Sequence, residues 1–217
     1  MPTVSCILSA RFARRIIETL PDVSLLIVES YGGHLVEWLH RGEMDLAIIY
    51  GPSVDLHLAV ETLGRDRIVA VGPRGSGLAE RREVDMGWFA EQKLVLPSHS
   101  HGLRELIERA AARKRLTLKV LMEADSFRVL TSLVEEGIGF TLLPPSAVRN
   151  EVLEGRLETA EIARPAMTRE LILASPADRR PSVATSTIST MIRKEIQGLV
   201  EEGLWDITTA GAEPSGC

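Results

Sequence analysis

The chain has 217 residues, of which 25 are basic and 30 acidic, giving a net charge of −5 at pH 7. This balance argues against a free-standing nucleic-acid binder, which needs a basic footprint, and two cysteines argue against a disulfide-stabilised secreted scaffold. Hydrophobic residues make up 45% of the chain and aromatic residues 4%, so the core must be aliphatic. Since neither a membrane span nor a secretory signal is found, we expect a cytoplasmic protein with no membrane partner.

Alternating helix and strand patterns predict an α/β fold for the first part of the chain. Apolar residues recur about every four positions along the first helix, and they run almost unbroken through 23–28, as in a strand buried on both faces. The predicted elements are, in chain order, a helix opening at Pro2 and Thr3, the strand 23–28, a short helix ending at Gly42, a strand 45–50 and two strand-like runs, 58–63 and 67–71. This order implies a parallel sheet with a right-handed crossover.

The segment GPRGSG, residues 72–77, is the clearest change of composition, and it predicts a turn where the chain first crosses between two lobes. The alternating pattern then repeats. The predicted elements of the second part are a strand 93–96, a helix 102–115, a strand 116–120, a helix capped by Ser126 and ending at Gly137, a strand 140–143, a short helix near 146–153, a strand 170–174 and a long helix 182–202.

These patterns predict two lobes joined by two chain crossings. The predicted parts are lobe I, 1–72 and 169–207, lobe II, 73–168, and a disordered tail, 208–217. We expect a cleft between the lobes, because ligands of open α/β sheets bind beyond the carboxyl ends of strands, where helices begin. The segment VLPSHSHGLREL, residues 95–106, lies at such a strand end.

Two histidines and two serines make this segment a candidate site. His99 and His101 supply at most two of the three or four ligands that a zinc site needs, so no metal is expected. Ser98 and Ser100 precede a helix whose free N–H groups and positive dipole end favour an anion. A serine could equally cap the helix, and one carboxylate could share a capping hydroxyl and the free N–H groups. Both interpretations stay open.

No complete catalytic set is present in the sequence, so we expect no enzyme and no cofactor. Glu29 and Asp45 could form a carboxylate pair, but they belong to different predicted strands and lack a nearby nucleophile or metal. The chain has no G-x-S-x-G elbow and no phosphate-binding G-x-x-x-x-G-K-[ST] loop. Ser98 and His99 are adjacent in sequence rather than brought together by folding, unlike the members of a Ser-His-Asp triad.

Two stretches and the late helix resemble a known family. The first is LPDVSLLIVESYGGHLVEWLHRGEMDLAIIYG, residues 20–51, and the second is VEEGIGFTLLPPSAV, residues 134–148. The positions that carry the resemblance are Pro21, Glu29, Leu35, Leu39, Gly42, Asp45, Leu46, Ala47, Leu199, Gly203 and Trp205. Together they resemble the regulatory domain of LysR-type transcriptional regulators over roughly residues 1–207. The contexts of Glu29 with Ser30 and of Tyr50 with Gly51 resemble the nitrogen-assimilation-control branch.

The resemblance implies a two-lobed α/β fold of the periplasmic-binding-protein type 2-like class, with two crossing strands and an interlobe cleft. It also implies a function, the binding of a small, anionic metabolite in this cleft to control DNA binding or transcription by the full-length protein. The family's winged helix-turn-helix is not matched, and Met1, Pro2 and Thr3 match the turn just after the first strand of lobe I. We therefore expect a regulatory domain cut from a longer protein or a truncated gene, with DNA contacts only through the missing N-terminal domain.

Effector contacts are expected at the openings of three helices and on one strand. Thr3 matches a hydroxyl that often contacts the effector in the family, and Ser5 lies beside it. Ser98, His99, Ser100 and Ser126 belong to the openings of the later helices, and Phe140 and Thr141 match a strand that often lines the pocket. The expected partners are the effector and further copies of the chain in a homodimer or homotetramer. The alternative is a solute-binding protein of a transport system, which has the same fold but would be monomeric.

Overall fold

The computed structural model describes residues 1–51, 57–163 and 165–209. Its helices are α1 Pro2–Thr19, α2 Gly32–Arg41, α3 Met86–Glu91, α4 Gly102–Arg113, α5 Phe127–Glu135, α6 Arg149–Leu153 and α7 Val183–Glu201. Its strands are β1 Ala47–Gly51, β2 Leu58–Pro73, β3 Glu83–Asp85, β4 Leu94–Leu96, β5 Val120–Glu123, β6 Thr141–Leu143, β7 Leu157–Ala163, β8 Met167–Pro176 and β9 Ile207–Thr209. None of the helices within these ranges is long and apolar enough to cross a lipid bilayer.

The chain divides into two compact units. Unit 1 comprises Met1–Asp66 and the chain from Arg169 onward, and unit 2 comprises Arg67–Thr168. In unit 1, β1 pairs antiparallel with β8, and the first part of β2 pairs antiparallel with β9. Helices α1 and α7 pack against each other and share a core with the side chains of this sheet. The core they form is aliphatic apart from two aromatic side chains; its buried members include Val4, Leu8, Phe12, Ile16, Leu171, Leu173, Ile192, Ile196, Leu199 and Trp205.

Unit 2 is built around two groups of strands. The second part of β2 pairs antiparallel with β6 and with β7, and β3 pairs parallel with β7. Strands β4 and β5 pair parallel, and β4 also forms a parallel bridge from Leu94 to Phe140, next to β6. Helices α3, α4 and α5 share a core with these strands, and its buried members include Ile68, Val69, Ala70, Phe89, Val95, Leu96, Leu103, Ile107, Leu130 and Leu142.

The predicted helix ends are mostly confirmed. Gly42 ends α2 in the left-handed conformation at φ 71°, where glycine has no Cβ penalty. Ser126 caps α5, and Ser182 caps α7. Helix α1 differs in detail, because Met1 is its N-cap residue and Thr3 lies inside the first turn. These ends are set by local backbone geometry and short-range hydrogen bonds, which the sequence carries directly.

The predicted buried strand at residues 23–28 is wrong. Residues 23–31 form no helix, strand or turn, and Leu26 is 84% exposed. Consequently the parallel pair expected between this run and residues 45–50 is not formed. An unbroken apolar run is typical of a buried strand, but a strand also needs a neighbouring strand to hold its backbone hydrogen bonds.

Other strand boundaries also differ from the predictions. The runs 58–63 and 67–71 belong to one strand, β2, and the strand expected at 116–120 begins only at Val120. Strands β3, β7 and β9 and helix α3 were not predicted. The turn expected in GPRGSG is confirmed by a hydrogen bond from the Ser76 N–H to the Pro73 carbonyl, and it lies within unit 2. Of the tail expected to be disordered, 208–209 belong to β9 and the rest lies outside the described residues.

Candidate functional site

Two parallel strands bring two polar loops together in unit 2. Leu96 at the end of β4 is in register with Glu123 at the end of β5. The carboxyl ends of parallel strands meet at one edge of a sheet, so residues 97–101 and 124–126 follow them at the same edge. Helices α4 and α5 begin directly after these two loops. Two helix openings, each with N–H groups that lack acceptors within the helix, therefore lie at this edge.

Asp125 and the two serines form the polar centre of this edge. The Asp125 carboxylate accepts hydrogen bonds from the Ser98 N–H at 2.8 Å and from the Ser98 hydroxyl at 3.0 Å. The hydroxyls of Ser98 and Ser100 lie 3.0 Å apart. The bond from the Ser98 N–H holds the pKa of Asp125 below its ordinary value, with a further contribution from the Ser98 hydroxyl. The edge therefore carries a negative charge fixed beside an exposed hydroxyl, that of Ser100.

Histidine, and neither serine, caps α4. His101 occupies the N-cap position, and its Nδ1 accepts a hydrogen bond from the Leu103 N–H at 3.1 Å. The Ser126 hydroxyl accepts the corresponding bond from the Val129 N–H at the start of α5, at 3.5 Å. Each cap occupies one N–H of the first turn, and the other first-turn N–H groups have no acceptor within their own helix.

The side chain of His99 belongs to a network of ion pairs. Its Nδ1 lies 3.1 Å from Glu108 Oε1, and its Nε2 lies 3.2 Å from Arg104 Nη2. Glu123 Oε1 is 3.6 Å from the same Nε2. Over 1–51, 57–163 and 165–209, no group of three or more His, Cys, Asp or Glu side chains is arranged to hold a metal ion.

Arg104 is a residue of this edge that the sequence did not reveal. Its side chain is buried and donates to the Pro97 carbonyl at 2.9 Å and to Glu123 at 2.8 Å through Nη1, and to Glu108 at 2.8 Å through Nε. It therefore ties the loop after β4 to the end of β5. Asp125 was also missed as a partner of Ser98. Its position just before a capping serine was the signal, but the contact joins residues 27 positions apart.

Phe140 and Thr141 lie in the core of unit 2. The Phe140 ring packs edge-on against Trp88 with centroids 5.5 Å apart, and it fills the space beside Gly72. Thr141 is fully buried in β6. No hydrogen bond joins either side chain to Ser98, Ser100 or Asp125 among the described residues.

Thr3 and Ser5 lie in unit 1. The Thr3 hydroxyl is 3.2 Å from the Tyr50 hydroxyl, which donates to Asp66 at 2.7 Å. The Arg169 guanidinium lies 3.5 Å from the centre of the Tyr50 ring. Burial raises the pKa of Tyr50 well above its ordinary value, so the phenol stays neutral and can donate. The Ser5 hydroxyl donates to the Met1 carbonyl at 3.1 Å, within the first turn of α1.

Curated proteins similar to this chain are named as regulators. The HTH-type transcriptional regulator BbuR of Bordetella bronchiseptica is 27% identical over 201 residues, which are 93% of this chain and 62% of BbuR. The nitrogen assimilation regulatory protein nac of Escherichia coli is 26% identical over 190 residues, 87% of this chain and 61% of that protein. The chain thus spans about three fifths of the length of these relatives.

The fold also matches a solved regulatory domain. The regulatory domain of Synechocystis CcmR, in complex with 2-PG, superposes with a TM-score of 0.83 at 17% identity, covering 91% of this chain and 95% of that one. The LysR substrate binding domain model matches residues 1–197. These findings confirm the predicted family and its periplasmic-binding-protein type 2-like α/β fold. Since the family match covers nearly the whole chain, the protein belongs to the LysR substrate binding domain family.

Proposed function

We propose that the chain is the part of a LysR-type transcriptional regulator that binds a small-molecule effector at the β4–β5 edge of unit 2. The observation that carries this proposal is the convergence of two helix openings on Asp125, Ser98 and Ser100. The Asp125 carboxylate, which accepts hydrogen bonds, lies there beside hydroxyl and N–H groups, which can donate them. Such an edge suits a small ligand that both donates and accepts hydrogen bonds.

The chemistry of the edge narrows the ligand class to small hydroxy acids. Asp125 is ionised at neutral pH, and an anionic group facing it directly would be repelled. A ligand hydroxyl would instead donate to Asp125. Its carboxylate or phosphate would accept from the Ser100 hydroxyl and from first-turn N–H groups of α4 or α5, whose dipoles favour an anion. The CcmR regulatory domain was solved in complex with 2-PG, which supports a small metabolite as the ligand.

Ser98, Ser100 and Ser126 are the proposed contacts of this ligand. Thr3, Ser5, His99, Phe140 and Thr141 stay predictions.

In the whole protein, we propose that effector binding changes DNA binding through an N-terminal domain and that the chain acts as a homodimer or homotetramer without catalysis or a metal. The names of the relatives, one HTH-type transcriptional regulator and two nitrogen assimilation regulatory proteins, favour this over a transport receptor. For effector binding to change DNA binding, the effector must bind one conformation of the assembly more tightly than another. An effector with equal affinity for both conformations would not shift the equilibrium between them.

A thermal-shift titration tests the proposed site. The probes are small hydroxy acids, the matching acids without a hydroxyl, amino acids, sulfate and zinc. A ligand at about 100 times its dissociation constant adds about 2.7 kcal/mol of stability. We expect a saturable shift with a hydroxy acid, smaller with its deoxy analogue, and lost in Ser100→Ala and Asp125→Asn.

The matched control is Ser132→Ala, which alters an exposed serine on α5 and should leave the shift unchanged. A shift with zinc alone that is lost in His99→Ala would overturn the proposal. Sedimentation with and without the bound acid separates a self-associating regulator domain from a monomeric transport receptor.

A further inference from the structure

Exposed basic side chains gather in unit 2 where β4 and β5 begin, at the opposite ends of these strands from Asp125. Residues 109–119 contain five basic residues and no acidic one. The Leu94 N–H donates to the Lys119 carbonyl at 3.0 Å, so Lys93 and Lys119 are neighbours just before the two strands. Helix α4 connects the end of β4 with the start of β5, so its last turn reaches the same edge. The basic patch comprises Lys93, Arg113, Lys114, Arg115 and Lys119, all of which are exposed.

The charges of the basic patch are not neutralised within the part of the chain that the structure describes. There, no carboxylate forms an ion pair with a member of the patch, whereas Arg109, one turn earlier on α4, pairs with Glu105. Lys119 Nζ donates to the Glu91 carbonyl at 3.2 Å, and an ammonium group has two further donors. Although the chain has a net charge of −5, an approaching anion responds most strongly to the charges nearest to it.

Arg115 holds its charge at a position where glycine is favoured. It follows Lys114, the C-cap residue of α4, and its φ of 55° is the one positive φ of a non-glycine residue in the described ranges. The corresponding residues after α5, α6 and α7 are Gly137, Gly155 and Gly203. A left-handed backbone is unfavourable for a residue with a Cβ. The helix dipole favours cations in the last turn of α4, but it does not explain an arginine in this conformation.

We propose that the basic patch binds the phosphate backbone of duplex DNA without reading its base sequence. Lysine and arginine side chains neutralise phosphates and release the counterions condensed on DNA, which supplies affinity that does not depend on sequence. The phosphates form a regular row of one sign, and residues 113–119 present a run of the opposite sign. This contact would add to the one expected through an N-terminal domain.

The proposed function selects DNA among the possible polyanions. A regulator that holds DNA through another domain keeps phosphates at a high effective concentration near this chain, so a weak contact is enough. An acidic protein segment is the alternative, but the centre of a protein interface is usually apolar, whereas the five side chains of the patch are all cations. The inference rests on the proposed function for this choice of partner, and it does not involve the effector site.

Fluorescence anisotropy of a labelled DNA duplex of about 20 base pairs tests the proposal on this chain without any effector. If about four phosphates are neutralised, the affinity should fall about 50-fold between 50 and 150 mM salt. A fourfold variant with Arg113→Gln, Lys114→Gln, Arg115→Gln and Lys119→Gln should bind at least about tenfold more weakly at 50 mM salt. The control variant loses the same charge at four exposed arginines outside the patch, Arg14, Arg82, Arg149 and Arg180, each changed to Gln. The control should lose far less affinity.

Two substitutions at Arg115 separate its charge from its backbone conformation. Arg115→Gly should raise the temperature of thermal unfolding, because glycine adopts the left-handed conformation without a Cβ penalty. The same variant should bind the duplex about tenfold more weakly at 50 mM salt and should reduce the salt slope by about 1. Arg115→Ala keeps the Cβ and removes the charge, so it should lose the same affinity without the gain in stability.

Three results would overturn the inference. The first is equal weakening of duplex binding by the patch variant and the control variant, which would assign the attraction to overall charge. The second is the absence of salt-dependent binding by the folded parent chain at 50 mM salt. The third is tighter binding of a poly-glutamate peptide than of the duplex, lost in the patch variant, which would assign the patch to an acidic protein segment. None of these results depends on whether a hydroxy acid binds beside Asp125, so the two proposals can fail separately.

Discussion

The Asp125 carboxylate bridges the backbone N–H and the hydroxyl of Ser98, at 2.8 and 3.0 Å. This bridge connects the loop after β4 with the loop after β5 and fixes a negative charge between the openings of two helices. A position that the sequence suggested as a place for a foreign anion thus already holds a carboxylate of the chain. The ligand class follows from this charge, because a bound acid must offer a donor to Asp125.

The bridge makes stability depend on pH. Because the folded-state pKa of Asp125 is depressed, its contribution is fully present above the unfolded-state pKa of about 3.9 and is lost as pH falls through the folded-state value. We expect Asp125→Asn to be less stable than the parent chain at pH 6 and the difference to shrink below about pH 4. Thermal unfolding over this pH range measures it. Asp22→Asn, in the exposed turn after α1, is the control and should cost less at pH 6.

Removing the Tyr50 hydroxyl should destabilise unit 1. Tyr50→Phe takes from Asp66, which is 1% exposed, a donor at 2.7 Å. Losing a hydrogen bond to a buried charged group should lower the free energy of unfolding by about 1–3 kcal/mol. Thr3→Val removes only the 3.2 Å contact with Tyr50 and should cost less. Urea unfolding of both variants measures the two losses, and equal losses would contradict the assigned role of the Tyr50–Asp66 bond.

A methyl group at Gly139 should destabilise unit 2. A Cβ there would lie 2.6 Å from the Lys93 carbonyl oxygen, and that oxygen is held by a 2.8 Å bond from the Phe140 N–H. Gly139→Ala should therefore cost about 1–3 kcal/mol, as overpacking does. Gly33→Ala is the matched control, since a Cβ at this position in α2 meets nothing within 4 Å. Gly33→Ala should raise the free energy of unfolding by about 0.5 kcal/mol, because alanine has the higher helix propensity. If urea unfolding gave Gly139→Ala the same free energy of unfolding as the parent chain, the backbone at Lys93 would be able to move aside.

Arg104 should hold the β4 loop in place. Arg104→Met leaves the buried Pro97 carbonyl without its donor and should cost about 2–3 kcal/mol. It should also speed amide exchange at Ser98. Arg104→Lys should restore little of the lost stability, because an ammonium group lacks the planar set of N–H donors with which the guanidinium reaches three acceptors. Arg109→Met, which breaks an exposed pair with Glu105 on the same helix, should stay within about 0.5 kcal/mol. If Arg104→Lys kept the stability of the parent chain, a positive charge alone would be enough to hold the loop after β4.

The candidate site could be predicted in part from the sequence. The segment around Ser98 was placed correctly at a strand end before a helix, and Ser126 was identified as a cap. The roles of His99 and His101 were not predictable, because one depends on Arg104 and Glu108 and the other on the local path of the backbone. The partner of Ser98 depends on the parallel pairing of β4 with β5, and a strand pair is a long-range contact.

The sequence by itself determined the family, the α/β class, the aliphatic core and most helix ends, since these depend on periodicity, composition and local hydrogen bonds. Only the tertiary structure decided which extended segments become strands. The run 23–28 has the pattern of a buried strand, yet Leu26, Ile27 and Val28 lie exposed, because among the described residues no neighbouring strand supplies the backbone partners of the run. The structure likewise decided that Asp125 would meet Ser98. The hydrophobic pattern indicates which residues favour burial, but pairing between distant segments determines which of them become buried.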